Sequence, residues 1–514
     1  MNNQNKIDNI VTMNINEKYD VIIGLEIHVQ TKTKTKMFCS CPTGYFQQEP
    51  NTHVCPVCLG LPGALPTVNK HAIELCILMG LATKCKIDNE IHFDRKHYFY
   101  PDLPKGYQIS QGKRPLCSNG KVSLPNGTIV EIERIHQEED VAKSTHHTES
   151  MTGRAYTLID YNKSSVPLIE IVTKPCIKNA KDAKEYATRI RQIARYLGIS
   201  DADMEKGQMR CEPNISVQEK GKWEMKDGKI LPIGDYKLNP KTEVKNIGSI
   251  TAVEKAIEYE VERMIKQIED GEELKQQTRG WNAEKGVTEF QRSKESADDY
   301  RYMPDPDIPI IDVSDEEIKK IAERLVELPD EKVERYMKDW DLPQYSAEVI
   351  SVSRESAEYF EQLQKELSKH MDEKEAAKEA SNWLMGTVYA INNKLGKENE
   401  KIDVEISELA MLITAFKNKV FTKNRAEEIL LERIENGLDI KKEIEKMEKE
   451  RESSSGNIED IVRDVIAKNE KAVSDYKSGK LASIGYLLGQ VMQVTKGTAN
   501  PNDVKVILEK ELNK

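Results

Sequence analysis

The sequence predicts an α+β domain with a largely antiparallel sheet, followed by an all-helical second half. Three observations predict it. Short stretches with β-branched or apolar residues at period two recur between residues 18 and 325. Two amphipathic helical segments interrupt them. After the proline-rich "RYMPDPDIPIID", which must run extended, almost every stretch reads as helix.

Taken in order, the period-two stretches are "DVIIGLEIHVQ", "TIVEIERIHQEED", "LIEIVTKP", "MRCEPNISV" and "KTEVKNI". The helical interruptions are "KDAKEYATRIRQIARYLG", ending on Gly198, and "ITAVEKAIEYEVERMIKQIEDG", ending on Gly271. From Ser314 onward come "SDEEIKKIAERLVEL", "SAEYFEQLQKELSKHM", "EKEAAKEASNWLMGTVYAINNKLG", "SELAMLITAFKNKV" and "NRAEEILLERIENG". Several begin with Ser, Asp or Asn as N-caps. "RESSSGN", residues 451–457, reads as a hinge, and "GKLASIGYLLGQVMQVTKGTANP" as one apolar helix stopped by Gly497 and Pro501. The expected organisation is an extension over 1–17, a sheet domain over 18–325, a helical segment over 326–450 and a helical tail over 451–514.

With 514 residues the chain is too long for one core. Charged residues make up 32% and the mean hydropathy is −0.63, so no membrane association is expected. The polar start shows no signal-peptide pattern. Nine cysteines, five of them scattered, do not resemble a secreted disulfide scaffold, so a reducing, cytoplasmic setting is expected. The formal charge of −11 argues against generic nucleic-acid binding but leaves room for a local basic face.

The conspicuous feature is "MFCSCPTGYFQQEPNTHVCPVCLGLPG", residues 37–63. Cys39, Cys41, Cys55 and Cys58 form two short pairs on tight turns, which suits a tetrahedral zinc site. Four thiolates leave no open position for water, so the zinc would be structural. His53 is an alternative ligand, and four thiols that merely pack is the plain alternative.

Less conspicuous are carboxylates on strands. In "GLEIHVQ", Glu26, His28 and Gln30 share one face of a strand. "HQEED" offers Glu138, Glu139 and Asp140, and "PLIEIV" sets Glu170 between isoleucines. Arg210, Glu212 and Asn214 share a face, as do Lys241, Glu243 and Lys245. Acids interleaved with Lys and Arg suit a divalent cation and a triphosphate. No Gly-x-x-x-x-Gly-Lys-Ser/Thr loop is present, so a nucleotide would bind by other means. His28 suits Zn²⁺ or Mn²⁺ better than Mg²⁺. "FDRKHYFYPDLPKGYQISQ", residues 93–111, interleaves cations and aromatics and reads equally as a structured loop or a phosphate- or RNA-facing one.

Several of these stretches together resemble one family. "GLEIHVQ", "FDRKHYFYPDLPKGYQISQ", "HQEEDVAKSTH", "LIDYNKSSVPLIEI", "SDADMEKGQMRCEPNISV", "DDYRYMPDPDIP" and "SNWLMG" are similar to the B subunits of bacterial-type glutamyl/aspartyl-tRNA amidotransferases (GatB), over nearly the whole chain. The resemblance implies a glutamine synthetase-like curved antiparallel sheet, then a helical connector and a small helical tail that grip tRNA. It implies ATP-dependent phosphorylation of the side-chain carboxylate of Glu-tRNA(Gln) or Asp-tRNA(Asn), followed by amidation with ammonia. By the same resemblance Glu26, His28, Glu139 and Glu243 form a Mg²⁺-centred set. Glu170 and Glu212 are further acids of the site, the second often Asp in relatives. Arg95 and Lys96 are placed for phosphates or the tRNA end; Lys241 and Lys245, on the strand face of Glu243, are expected to bind the ATP. Some family members lack the cysteine knot, which makes zinc a subset feature. No amidase-type Ser/Lys signature is apparent, so the ammonia would come from an amidase A subunit, with a small C subunit completing a heterotrimer.

Two other readings compete. A non-catalytic zinc-ribbon RNA-binding adaptor explains the knot and basic stretches such as "KNKVFTKNR" and "SDYKSGKLASIGY", but not the strand-borne glutamates. A free-standing carboxylate–ammonia ligase explains the glutamates but not the helical half.

Overall fold

The computed structural model describes residues 18–149, 152–293, 300–399, 401–455, 458–478, 480, 482–495, 499 and 501–513. The expected extension over residues 1–17 lies outside the described residues. The chain divides into two compact units, Met1–Val326 and Glu327–Lys514.

The first unit is built on a nine-stranded sheet. Its strands in chain order are β1 (Tyr19–Gln30), β2 (Lys86–Ile87), β3 (Cys117–Ser123), β4 (Ile129–Glu139), β5 (Pro167–Thr173), β6 (Met209–Glu219), β7 (Thr242–Lys245), β8 (Gln277–Asn282) and β9 (Val287–Ser293). Their spatial order is β9-β8-β7-β6-β1-β5-β4-β3-β2. Every pair is antiparallel except β7 with β8. The α+β reading with a mostly antiparallel sheet therefore holds.

The period-two pattern sends alternate side chains to opposite faces. Ile23, Leu25, Ile27 and Val29 of β1, Ile169 and Ile171 of β5, and Met209, Cys211 and Ile215 of β6 are almost fully buried. Each such side chain contributes about 1.5–3 kcal/mol by leaving water. Three helices meet these strands: α1 (Lys70–Ala82) packs on β4, α2 (Ala180–Tyr196) on β1 and α3 (Ile250–Glu269) on β6. The side chains of Asn179 and Ser249 cap α2 and α3, and Gly198 and Gly271 follow their ends at positive φ. Helix α1 goes unseen in the sequence because it is apolar on nearly all sides and shows no helical stripe. A Cβ at its Gly80 would lie 2.5 Å from Cys117 Sγ, so glycine allows the helix to approach β3. Four smaller sheets lie outside it among the described residues, two of which bear on the site. Strand Asp94–His97 pairs with Tyr107–Ser110 on one side and Met303–Pro304 on the other. Strands Lys143–Thr148 and Ala155–Asp160 form a largely exposed hairpin.

The described structure of the second unit is helical. Its buried apolar residues form two clusters, one from Tyr336 to Met447 and one from Val462 to Leu512. Three readings need correction. The stretch 373–396 is not one regular helix: a π-helical turn, Leu384–Val388, separates Glu373–Trp383 from Tyr389–Lys394. The hinge expected from Arg451 is helical to Ser455, because Ile440–Ser455 continues through it; residues 456–457 lie outside the described residues. The last apolar helix spans Ser483–Val494, and Pro501 starts a further helix, Pro501–Leu512, where its fixed φ and missing N–H suit a first turn. Among the described residues no helix is long and apolar enough to cross a membrane.

Candidate functional site

The face of the sheet opposite the apolar one carries the acids. Register fixes who meets whom. Glu26 stands opposite Glu212, and His28 lies between Arg210 on β6 and Glu170 on β5. Glu170 in turn faces His136 on β4, and Asn214 faces Glu243 on β7. Five adjacent strands thus bring together residues more than 200 positions apart.

Two groups result. Carboxylate oxygens of Glu26, Glu212 and Glu243 lie within 4.8 Å of one another. Asn214 Nδ2 donates to Glu26 Oε1 at 3.0 Å, and Thr278 Oγ1 donates to Glu243 Oε2 at 2.8 Å. These neighbours orient the acids without neutralising them. Lys245 Nζ pairs with Glu212 Oε2 at 2.6 Å and reaches Glu243 Oε1 at 3.8 Å. Burial would raise the Glu212 carboxyl, but Lys245, His28 and Arg210 outweigh it and hold Glu212 at about 2. Asn214 Oδ1, beside Glu26, is buried with no hydrogen-bond partner among the described residues. Three converging carboxylates and a spare buried amide oxygen are hard donors that fit a hard divalent cation such as Mg²⁺.

The second group is His28, Glu138 and Glu170, again within 4.8 Å. His28 Nε2 is 3.5 Å from Glu170 Oε2 and 3.7 Å from Glu138 Oε1, and His136 Nε2 is 3.4 Å from the same Glu170 oxygen. Burial would lower the His28 imidazole, yet Glu170, Glu212 and Glu138 raise it to about 9. Burial and neighbouring Glu170 push the Glu138 carboxyl up; His136 and His28 hold Glu170 well down despite its burial. Nδ1 of both histidines is buried without a hydrogen-bond partner among the described residues.

Glu139 joins neither group, contrary to the expected metal set. Strand alternation turns it away from Glu138, and its carboxylate accepts from Lys105 Nζ and, at 2.9 Å, from the Ile109 N–H. Glu138 occupies the place expected of it. Arg95 is likewise not free for phosphate. It pairs with Asp305 at 2.8 Å and Asp307 at 2.7 Å and stacks on Tyr107, fastening the 303–307 segment to strand Asp94–His97. Lys96 is different. It forms no ion pair or hydrogen bond among the described residues; its ammonium lies over the Tyr300 and Tyr98 rings at 5.0 and 5.8 Å. Burial opposes its charge, but Glu138 and Glu170 raise its pKa. Lys241 lines a cavity of about 580 Å³ that Glu26, Asn214 and Gln218 also border.

One arrangement had only a partial sequence signal. Asp140 is 2% exposed and accepts from Lys163 Nζ at 2.7 Å, Gln30 Nε2 at 2.7 Å and Arg210 Nη2 at 3.1 Å. Arg210, whose other N–H groups have no partner among the described residues, is thereby held beside His28 and Glu212. Arg210 shared a strand face with Glu212 in the sequence, but nothing there linked it to Asp140, 70 residues away.

The four cysteines of residues 39–58 also converge. Their Sγ atoms lie within 4.8 Å of one another, and none is in a disulfide. Cys39 and the Cys55 N–H, with the Lys36 charge, pull the Cys58 thiol down to about 5 against its burial. This all-sulfur set fits tetrahedral Zn²⁺ and not the hard cation suited to the acids. His53 is not part of it; its backbone N–H donates to Asn162 Oδ1 at 2.6 Å, and its ring Nδ1 is buried with no hydrogen-bond partner among the described residues.

Residues 21–319 match the family model for the GatB/GatE catalytic domain, and residues 358–512 match the model for the GatB domain. The chain is 43% identical over 504 residues to the aspartyl/glutamyl-tRNA(Asn/Gln) amidotransferase B subunit of Dehalococcoides mccartyi strain CBDB1, covering 96% of this chain and 99% of the relative. It is 42% identical over 500 residues to the protein of the same name from Thermoanaerobacter pseudethanolicus, covering 97% and 100%. The Thermotoga petrophila protein gives 42% over 498 residues, covering 96% and 99%.

Proposed function

The chain belongs to the family of aspartyl/glutamyl-tRNA(Asn/Gln) amidotransferase B subunits, and from that premise we propose that it activates and amidates the side-chain carboxylate of a mischarged tRNA. A carboxylate oxygen of Glu-tRNA(Gln) or Asp-tRNA(Asn) attacks the γ-phosphorus of ATP, ADP leaves, and an acyl phosphate forms. Ammonia then attacks the acyl carbon and phosphate departs, leaving the amide. The activity is that of an ATP-dependent carbon–nitrogen ligase.

The observation that carries this reading is the pair of three-residue groups on one sheet face. Glu26, Glu212 and Glu243 would hold Mg²⁺, and His28, Glu138 and Glu170 offer a second place for a cation. When bound, the metal neutralises charge on the phosphates. The chain's own groups do the rest. Lys245 moves from Glu212 toward phosphate oxygens once a cation satisfies the acids. Lys96 and Arg210 supply further positive charge where the phosphoryl group transfers. Lys241 faces the cavity beside Glu26, whose Ile22, Ile230 and Leu238 wall suits a nucleotide's apolar face. Glu139 and Arg95 are assigned to structure, in holding the 93–111 segment.

The sheet with acids on one face and helices against the other supports a glutamine synthetase-like arrangement. Residues 326–450 as connector and 451–514 as tail would grip the tRNA body. Ammonia would come from an amidase A subunit, with a small C subunit completing a cytoplasmic heterotrimer. Zinc in the knot would brace the sheet domain.

The test combines the chain with ATP, Mg²⁺, ammonium and Glu-tRNA(Gln). Gln-tRNA and ADP should appear together. Amide formed from free glutamate but not from tRNA would favour the free-standing ligase instead. RNA binding with no ATP consumed would favour the adaptor.

A further inference from the structure

We propose that Lys36 is the built-in counter-charge of the tetrathiolate site, a buried ammonium that sets how tightly the cysteine knot holds zinc. The inference rests on the zinc reading of the knot. Lys36 is 0% exposed. Its Nζ lies 3.6 Å from Cys58 Sγ and donates to the Tyr161 carbonyl oxygen at 3.2 Å. No carboxylate pairs with it among the described residues.

A lysine is almost never fully buried unless it is paired, because an ammonium out of water needs an anion. Four neutral thiols provide none. Four thiolates around one divalent zinc provide a dianion, and Lys36 meets it at Cys58, a buried cysteine of the set. The backbone holds the lysine there. Its N–H donates to the Cys41 carbonyl at 2.9 Å, and its carbonyl accepts from Asn69 Nδ2 at 3.3 Å. Lys36 therefore touches the first cysteine pair through its main chain and the second through its ammonium. Cys58 Sγ also accepts the Cys55 N–H at 3.2 Å. Donors of this kind draw charge from the sulfurs and stabilise the loaded cluster.

The Tyr161 carbonyl extends the link. It begins the turn that carries Lys163, the partner of Asp140, which holds Arg210. Zinc in the knot thus tethers, through Lys36, the turn beside the acid face.

The test measures zinc affinity of the full chain by equilibrium competition with a chromophoric chelator. Lys36→Met keeps the length of the stem and removes the charge; it should weaken zinc by about 10–100-fold, the range for outer-shell partners. Lys36→Arg, which keeps the charge, should retain more affinity than Lys36→Met. A folded Lys36→Met chain holding zinc as tightly as wild type would overturn the proposal. Wild type that carries no zinc and gains none on titration would instead overturn the zinc reading itself. If Lys36→Met does not fold, the wild-type chain decides. With zinc bound, Lys36 should resist acetic anhydride in peptide mapping, and it should react once the chelator has removed the metal. Reaction at the rate of surface lysines in the loaded protein would count against the proposal.

Discussion

The acid face and the cysteine knot are both clusters of metal-ligating side chains, and they are assembled in opposite ways. The knot draws its four sulfurs from twenty consecutive residues, Cys39 to Cys58. The acid face draws on β1, β4, β5, β6 and β7, from Glu26 to Glu243. The knot is soft and all sulfur; the acid face is hard and mostly oxygen. A local cluster can form on tight turns alone. A dispersed one needs the sheet to be folded and in register first, since a slip of one residue would send every acid to the apolar face. On the proposed function, the contrast separates a brace from a reaction centre.

That separation can be broken by mutation. The largest effect is expected at Glu26 and Glu243. Glu26→Gln or Glu243→Gln should lower amide formation by about a hundredfold or more while tRNA binding survives, measured by Gln-tRNA formation and filter binding. Retained turnover in either would dissolve the claim that the first acid group is the reaction centre. Next, Glu138 and Glu139 should part company. Glu138→Gln should impair ADP formation from ATP and Glu-tRNA(Gln) strongly. Glu139→Gln should act mainly on stability, by about 1–3 kcal/mol, because Lys105 and the Ile109 N–H lose a buried carboxylate partner. Denaturant melts beside initial rates would tell the two apart.

Metal removal gives a third contrast. A chelator that strips both metals should abolish chemistry, and Mg²⁺ alone should restore most of it if zinc only braces. Cys58→Ser should reduce zinc content and solubility more than the rate per folded molecule; a well-folded variant defective only in the chemical step would make the knot part of the reaction. The smallest effect is expected at Arg95. Arg95→Lys keeps one positive charge but not the fork shared between Asp305 and Asp307, so a modest fall in melting temperature should come with nearly unchanged turnover.

Much of this was legible in the chain. Alternation exposed the strands, and Gly198 and Gly271 marked helix ends. The cysteine pairs announced a four-thiol cluster by spacing alone. What could not be read has physical causes. Helix α1 lacks a stripe because both sides are buried. The π-helical turn at Leu384–Val388 has no periodic signature of its own. Glu138 and Glu139 are adjacent and chemically alike, so only the pleat decides which faces His28. Arg95 looked like a phosphate ligand because Asp305 and Asp307, which occupy it, lie 210 and 212 residues away.

The sequence by itself determined the fold class, the helical second half, the knot and the set of acids from which a site could be drawn, because those depend on local periodicity and spacing. Only the tertiary structure decided which acids meet, that Lys245 sits among three of them, that Asp140 holds Arg210, and that Lys36 is buried against Cys58. Those are contacts between distant segments, and strand register and packing alone determine them.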